Sequence, residues 1–401
     1  MPVDAVIRLA CSREEACELR EDLRATQSAV LERGIFRDGP ERQALENELA
    51  AFLHARAVVA VSSGSAALAV ALKALRVGRG DEVIVAGNVD ISVAAPISNA
   101  GAAPIWCDVS ERTLNLDPAA MSRLVTPSTR AIVMLHMYGN PASSTAIRAV
   151  ADQHGLVVIE DFSHAVGSEM DGRRCGTLAP VAVASLSHGK PLAATGTAGV
   201  VVVDDARLEV DVRVAANYGL EPSALAAINA GRVAHFRCRT DGFNATLDEL
   251  QSAALRVKLG RLEQWITQRR QLADAYASAF TGCRAVRPQA AEIGARPVLR
   301  HFALTTTPRS RVLAALAARG IEAGGGYRPP LYRQPLYSRM ASSARVLRIT
   351  EKLARRLVCL PLHPYLSTSD VEEVATIVRS SAEGAARRKA RHPSRQVVPK
   401  P

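Results

Sequence analysis

Three short segments carry residues able to hold a phosphate, to keep a ring nitrogen protonated and to condense with an aldehyde. The first is Ser62-Ser63-Gly64-Ser65-Ala66-Ala67-Leu68, where hydroxyl residues flank a glycine just before a helical pattern begins. Backbone N–H groups at a helix N-terminus favour anions, and a glycine lets one approach closely. The same small residues also serve as an ordinary helix cap. The second segment, Val157 to Ala165, places Glu160 and Asp161 at the end of a β-branched run, with His164 three residues on. Ligands of open α/β sheets bind beyond such strand ends. An Asp there can partner a pyridinium nitrogen; alternatively Asp161 caps the following helix and His164 is a packed histidine. The third segment is Ser185-Leu186-Ser187-His188-Gly189-Lys190. A lysine with a lowered pKa exposes a free amine for Schiff-base formation, although an isolated lysine is ordinarily a surface residue. The three together, phosphate loop, strand-end Asp and strand-end Lys on successive elements, describe a pyridoxal phosphate site.

The elements that must position these residues are visible as short apolar runs separated by helical stretches. The runs are Ala57 to Val61, Glu82 to Ala86, Pro104 to Asp108, Ala131 to Leu135, Leu156 to Asp161, Val181 to Leu186 and Gly199 to Val203. Fully apolar runs at this spacing are strands buried on both faces by crossover helices, which predicts an α/β domain with a largely parallel sheet. Charges at helical spacing over residues 12–33 predict one or two surface helices. Thr246 to Phe280 has helical periodicity interrupted only by Gly260, and is expected to be one long helix. A smaller α/β unit should follow, with a strand at His301 to Thr305, a helix at Ser310 to Arg319 and a last helix from Ser369 to Ser381, capped by Ser367 or Ser369. The division expected is an N-terminal helical segment over 1–35, a large domain over 36–254, a small domain over 255–384 and a tail over 385–401.

Composition narrows the function. With 401 residues, 48% hydrophobic and 22% charged, the chain can bury a sizeable core. An aromatic share of 4% disfavours stacking platforms for single-stranded nucleic acid. The formal net charge is +11, and six of the basic residues, Arg387, Arg388, Lys389, Arg391, Arg395 and Lys400, fall after Gly384 with no acid among them. Such a run reads as a solvated, disordered tail, not as a nucleic-acid or membrane arm. Seven scattered cysteines with no CxxC pair suggest reduced thiols, no zinc and a cytoplasmic protein. No targeting segment or membrane span is expected.

The motifs GPERQALENELAAFL, AVSSGSAALAVAL, GDEVIV, LHMYGNPA, VVIEDFSHAVGSEMDG, SLSHGKPL, FNATLDELQSAAL, YRPPLY and LPLHPYLS, in this order from about Gly39 to Ile377, resemble the DegT/StrS family of fold-type-I aminotransferases. Members of that family place amino groups on nucleotide-linked keto sugars or cyclitol ketones, often in amino sugar and antibiotic biosynthesis. The resemblance implies a large domain with a mostly parallel seven-stranded sheet plus a smaller C-terminal α/β domain. It implies that Lys190 forms the Schiff base with pyridoxal 5'-phosphate, that Asp161 partners the pyridine nitrogen and that His164 lies near the phenolic oxygen. Gly64, Ser65 and Ser185 would bind the phosphate. Asn244 would reach the phosphate of a neighbouring subunit, making the protein a homodimer with shared sites. Glutamate or glutamine is the implied amino donor.

The chain departs from the family at Asp90, where most relatives place an aromatic residue that stacks on the cofactor. Gly196-Thr197-Ala198-Gly199 replaces the usual Gly-acid-Gly-Gly, Leu186 a common Phe, and Thr246 a frequent Arg. These changes concern the acceptor more than the cofactor. Asp90, His188 and Tyr327 are substrate-side candidates. Two rival readings are a dehydratase of the same fold, against which Lys190 speaks because those relatives carry His in its place, and a cofactor-binding regulatory protein.

Overall fold

The computed structural model describes residues 7–221, 237–340, 342 and 345–391. Helices α1 (Ser12–Glu18), α2 (Arg20–Arg33) and α3 (Pro40–Leu53) lead into strand β1 (Ala57–Val61) and helix α4 (Gly64–Ala74). Then follow β2 (Glu82–Ala86), α5 (Ile91–Asn99), β3 (Ala103–Cys107), α6 (Pro118–Ser122), β4 (Thr129–Leu135), α7 (Ser144–His154) and β5 (Val157–Asp161). The short pair β6 (Glu169–Met170) and β7 (Arg173–Arg174) precedes β8 (Val181–Ser185), β9 (Gly199–Val203) and α8 (Ala206–Ala216). The chain continues through α9 (Glu249–Leu259), α10 (Leu262–Ala279), β10 (Val286–Pro288), β11 (Ala295–Arg296), β12 (Phe302–Thr306) and α11 (Arg309–Ala317). It closes with α12 (Arg348–Arg356), β13 (Leu357–Leu360) and α13 (Thr368–Arg391).

The seven-stranded sheet has the order β1-β9-β8-β5-β4-β2-β3. Only β9 runs antiparallel to its neighbours β1 and β8; the pairs from β8 to β3 are parallel. The expected mostly parallel α/β architecture is therefore observed. Registers bring the chemistry to one edge. Asp161 pairs with Leu135 and Val183, Ser185 pairs with Gly199, and Gly199 also pairs with Val61. The loops after β1, β5 and β8 thus emerge side by side. Val, Ile and Ala fill both faces of these strands and join the Leu, Ala, Val and Ile residues on the inward faces of α3, α4 and α5 in one large hydrophobic cluster. A second cluster surrounds the antiparallel sheet β10-β12-β13 with α10, α11 and α13.

Two expectations need correction. The long helix over Thr246 to Phe280 is two helices, α9 and α10, separated at Gly260 and Arg261. Glycine weakens a helix interior, and the break lets α9 pack against α2 and α3 while α10 turns toward α13. The last helix continues to Arg391, through Ala385 to Arg391 of the stretch expected to be a tail. Its Ala, Arg and Lys residues are strong helix formers, and Pro393 is the next residue in the sequence that cannot continue a helix. Residues 392–401 of that stretch lie outside the described residues. At the start of α13, Ser367 is the capping residue: its Oγ accepts from the Asp370 N–H (3.1 Å) while Asp370 accepts from the Ser367 N–H (2.7 Å). All seven cysteines are free. Among the described residues, no helix is long and apolar enough to cross a membrane.

One cap comes from far along the chain. Helix α3 begins after Gly39 with no capping side chain of its own. The fully buried Glu249 carboxylate of α9 accepts from the N–H groups of Gly39 (3.1 Å), Glu41 (2.8 Å) and Arg42 (3.1 Å). Negative charge at a helix N-terminus is favourable, and a Cβ on Gly39 would lie 2.5 Å from Glu249 Oε2. Glu249→Ala leaves three donors unpaired, one buried and two partly buried, so a loss of about 3 kcal/mol is expected. A denaturation midpoint equal to that of the unaltered protein would show the cap to be dispensable.

Candidate active site

The amino end of α4 forms one wall of a cavity of about 410 Å³. Ser63 caps the helix, its Oγ accepting from the Ala66 N–H at 3.1 Å, which leaves the N–H groups of Gly64 and Ser65 free to face an anion. A Cβ on Gly64 would fall 2.4 Å from Ser185 Cβ, so the missing side chain is what lets the helix start approach β8. Hydroxyls of Ser65, Ser185 and Ser187 line the same space. A short hydrogen-bonded chain ties it to β5: the Ser185 N–H donates to Ser163 Oγ (2.8 Å), and the Ser163 N–H donates to Asp161 Oδ1 (2.9 Å).

Burial raises the Asp161 carboxyl above its ordinary pKa, opposed by hydrogen bonds from Ser163 and by the charge of Lys190. Lys190 shows the opposite response: burial, then the nearby Arg300 cation, lowers its amine to about 8, against the pull of Asp161 and Asp90. The amine is therefore largely neutral only slightly above physiological pH. His164 is held well below its usual pKa by burial and then by Lys190 and Arg300, so its ring is neutral. The N–H of Tyr138, a buried residue at φ 60°, points to His164 Nδ1 (3.3 Å), and the Tyr138 ring lies nearly parallel to the imidazole.

Gly64, Ser65, Asp161, His164, Ser185 and Lys190 all line this cavity, and so do Asp90 and Tyr327. Asp90 caps α5, accepting from the Ser92 N–H at 2.7 Å; the cap is a local reason for an acid at this position. His188 and Asn244 do not line the cavity. His188 is exposed and its Nδ1 bonds Ser12 Oγ (2.8 Å), while Asn244 is exposed next to the edge of the sheet. Thr246 bridges to Val61 and Leu186 is buried in the core, so neither faces the cavity, whereas Thr197 does. Glu160, the neighbour of Asp161, points the other way. It accepts from His136 Nε2 (2.8 Å) and from the N–H groups of Gly176 (2.6 Å) and Leu178 (2.8 Å). His136, Glu160 and Cys175 come together as metal ligands would. The acceptors of His136 and Glu160 are already committed, however, because His136 Nδ1 also takes the Ala142 N–H (2.9 Å), and the pair is a structural knot.

Sequence reasoning missed Ser163, Ser187, Tyr138 and Arg300. Tyr138 lies in the LHMYGNPA motif. Arg300 had one weak signal, a charge abutting an apolar strand. A larger cavity of about 700 Å³, lined by Lys73, Arg76 and Arg239, contains none of these groups, so convergent chemistry and not volume locates the site.

Comparison with known proteins agrees with this geometry. The model of the DegT/DnrJ/EryC1/StrS aminotransferase family matches residues 18–379. The chain belongs to that family. It is 35% identical to the dTDP-3-amino-3,4,6-trideoxy-alpha-D-glucose transaminase of Streptomyces venezuelae, covering 91% of this chain and 93% of that one. It is 32% identical to the UDP-N-acetyl-3-dehydro-alpha-D-glucosamine 3-aminotransferase of Acidithiobacillus ferrooxidans, over 96% of this chain and all of the other. The crystal structure of S. venezuelae DesV in complex with a ketimine intermediate superposes with a TM-score of 0.86 at 34% identity, covering 92% of this chain and 97% of that one. The fold and enzyme class expected from the motifs are borne out: this DegT/DnrJ/EryC1/StrS protein is an aminotransferase.

Only an unprotonated amine reacts with an acylating reagent. Labelling of Lys190 by a small reagent of this kind, followed by peptide mass spectrometry, should therefore climb as the pH rises through about 8 and then level off. A midpoint at the value of free lysine would refute the burial argument.

Proposed function

We propose that the protein uses pyridoxal 5'-phosphate to move an amino group from glutamate or glutamine to the keto group of a nucleotide-linked sugar. The observation that carries this reading is the meeting, in one cavity, of a lysine amine lowered to about 8, a buried carboxyl and a helix N-terminus flanked by serines. The donor set fits the cofactor. Free N–H groups of Gly64 and Ser65 with the hydroxyls of Ser65 and Ser185 suit a phosphate, and Asp161 suits a protonated ring nitrogen. When bound, pyridoxal phosphate supplies the electron sink for removal of the proton beside the amino group.

The chain's own residues then divide the work. Lys190 would hold the cofactor covalently, and its free Nζ would take up and return the substrate proton; an amine with a pKa of about 8 is well matched to both. Burial raises Asp161 against the pull of Ser163 and Lys190; beside a protonated ring nitrogen its carboxylate form would be favoured, and it would in turn keep that nitrogen protonated. Neutral His164 can share a hydrogen bond with the phenolic oxygen. The nucleotide-linked sugar follows from the names of the relatives, two of which act on dTDP- or UDP-linked sugars; a cyclitol ketone is the other acceptor the family admits. Lys190 in place of His weighs against dehydratase chemistry.

The proposal includes a homodimer with shared sites. Phe36, Tyr218 and Phe243 are exposed near Asn244, and such a patch suits coverage by a second copy, with Asn244 reaching the partner's phosphate.

Purified protein loaded with pyridoxal phosphate should show a visible absorbance band that disappears on addition of glutamate. Lys190→Ala should lack the band, and Asp161→Asn should keep it but turn over about 100-fold more slowly or worse. Protein that takes up no cofactor would end this reading. Light scattering should give a dimer, and Phe243→Asp should yield a monomer with little turnover; an active monomer would argue against shared sites.

A further inference from the structure

One cation in the cavity has no place in the roles given above. Arg300 precedes β12 and is partly buried on the cavity wall. Three contacts fix it. Its backbone N–H donates to Tyr138 O (2.8 Å), its Nε donates to Gly189 O (2.8 Å), and its Nη1 approaches His164 Nε2 (2.8 Å). Among the described residues no carboxylate forms an ion pair with it, and its Nη2 has no protein acceptor. A guanidinium withdrawn from water without an acid partner is costly, which is the situation of a group awaiting an anionic ligand.

The contact with His164 is itself one that a ligand can displace. The imidazole is neutral and offers a single acceptor nitrogen, yet two donors converge on it, the Tyr138 N–H at Nδ1 and Arg300 at Nε2. One of these hydrogen bonds is unsupported. An anion that draws the Arg300 fork away from the ring satisfies the guanidinium and relieves that conflict.

We propose that Arg300 is the clamp for the α-carboxylate of the amino donor. The proposal rests on the aminotransferase site described above. A donor must bring its nitrogen to the place held by Lys190 Nζ, and the α-carboxylate is attached to the carbon that bears that nitrogen. Arg300 is bonded to Gly189, the residue directly before Lys190, so its fork lies beside that position and matches the planar carboxylate in two parallel hydrogen bonds. The N-terminus of α4 and its serines are already assigned to phosphate. The clamp therefore selects α-amino acids over simple amines. A keto sugar without a carboxylate does not use it, so Arg300 acts in one half of the reaction only.

The test uses cofactor-loaded protein and two probes read by visible absorbance. 2-Methylglutamate keeps the α-carboxylate but has no α-hydrogen to remove; propylamine lacks the carboxylate. Arg300→Gln should weaken 2-methylglutamate binding by about 100-fold, the loss of a charged two-point contact, with propylamine binding unchanged. Arg300→Lys, which keeps the charge without the fork, should fall between. In steady state the half-saturating glutamate concentration should rise, and that of the keto acceptor should not. Equal losses for both amines, an unaltered response to 2-methylglutamate, or a rise confined to the acceptor would each overturn the clamp. Unaltered protein that responds to neither amine would overturn the amine-exchanging site and the clamp with it.

Discussion

The amino end of α4 touches the ends of β8 and β9 with no room for a side chain between them, and the pocket depends on that contact. A Cβ at Gly64 would lie 2.4 Å from Ser185 Cβ, and a Cβ at Gly199 would lie 2.3 Å from Ser63 O. Neither is tolerable in a close-packed interior. Two glycines on different elements therefore set the helix start, with its outward N–H groups, directly over the strand pair that leads to Lys190. The anion cradle and the reactive amine are spaced by backbone packing, which is stiffer than any arrangement of long side chains.

Electrostatics in the pocket follow from that enclosure. Lys190 and Arg300 face Asp161 and Asp90, so the formal charges balance, yet burial and the Arg300 cation outweigh both acids at Lys190. The same enclosure raises Asp161 and keeps His164 neutral. Lys190, Asp161 and His164 are each displaced toward the uncharged form, the expected response to a poorly hydrated site. The pocket is arranged to receive charge, and its own groups wait in the forms that proton transfer requires.

Much of this was legible in the sequence because buried parallel strands are continuous apolar runs. Ala57 to Val61, Glu82 to Ala86 and Gly199 to Val203 matched in both bounds, and the others slipped by one or two residues at one or both ends. The Lys190, Asp161 and Ser65 positions were legible because each lies at the end of such a strand or in the short segment after it. Arg300 was not, since its role depends on where the loop after β8 passes. His188 was misleading for a related reason: two residues from the lysine in sequence, it turns outward to Ser12. Gly260 looked like a blemish in one helix, but only packing against α2 and α3 on one side and α13 on the other shows why the axis must change there. Strands β10 and β13 are too short to leave a periodic signal.

The Glu249 cap bears on how the chain becomes a folded protein. Most helices are closed by a residue within a turn of their first peptide groups, so each can form on its own terms. Helix α3 is closed by a carboxylate more than two hundred positions later. During synthesis its amino end stays open until α9 has emerged and docked. Helix α3 is thus completed only after the much later α9 has docked, and a product cut short before α9 is left with an unfinished helix.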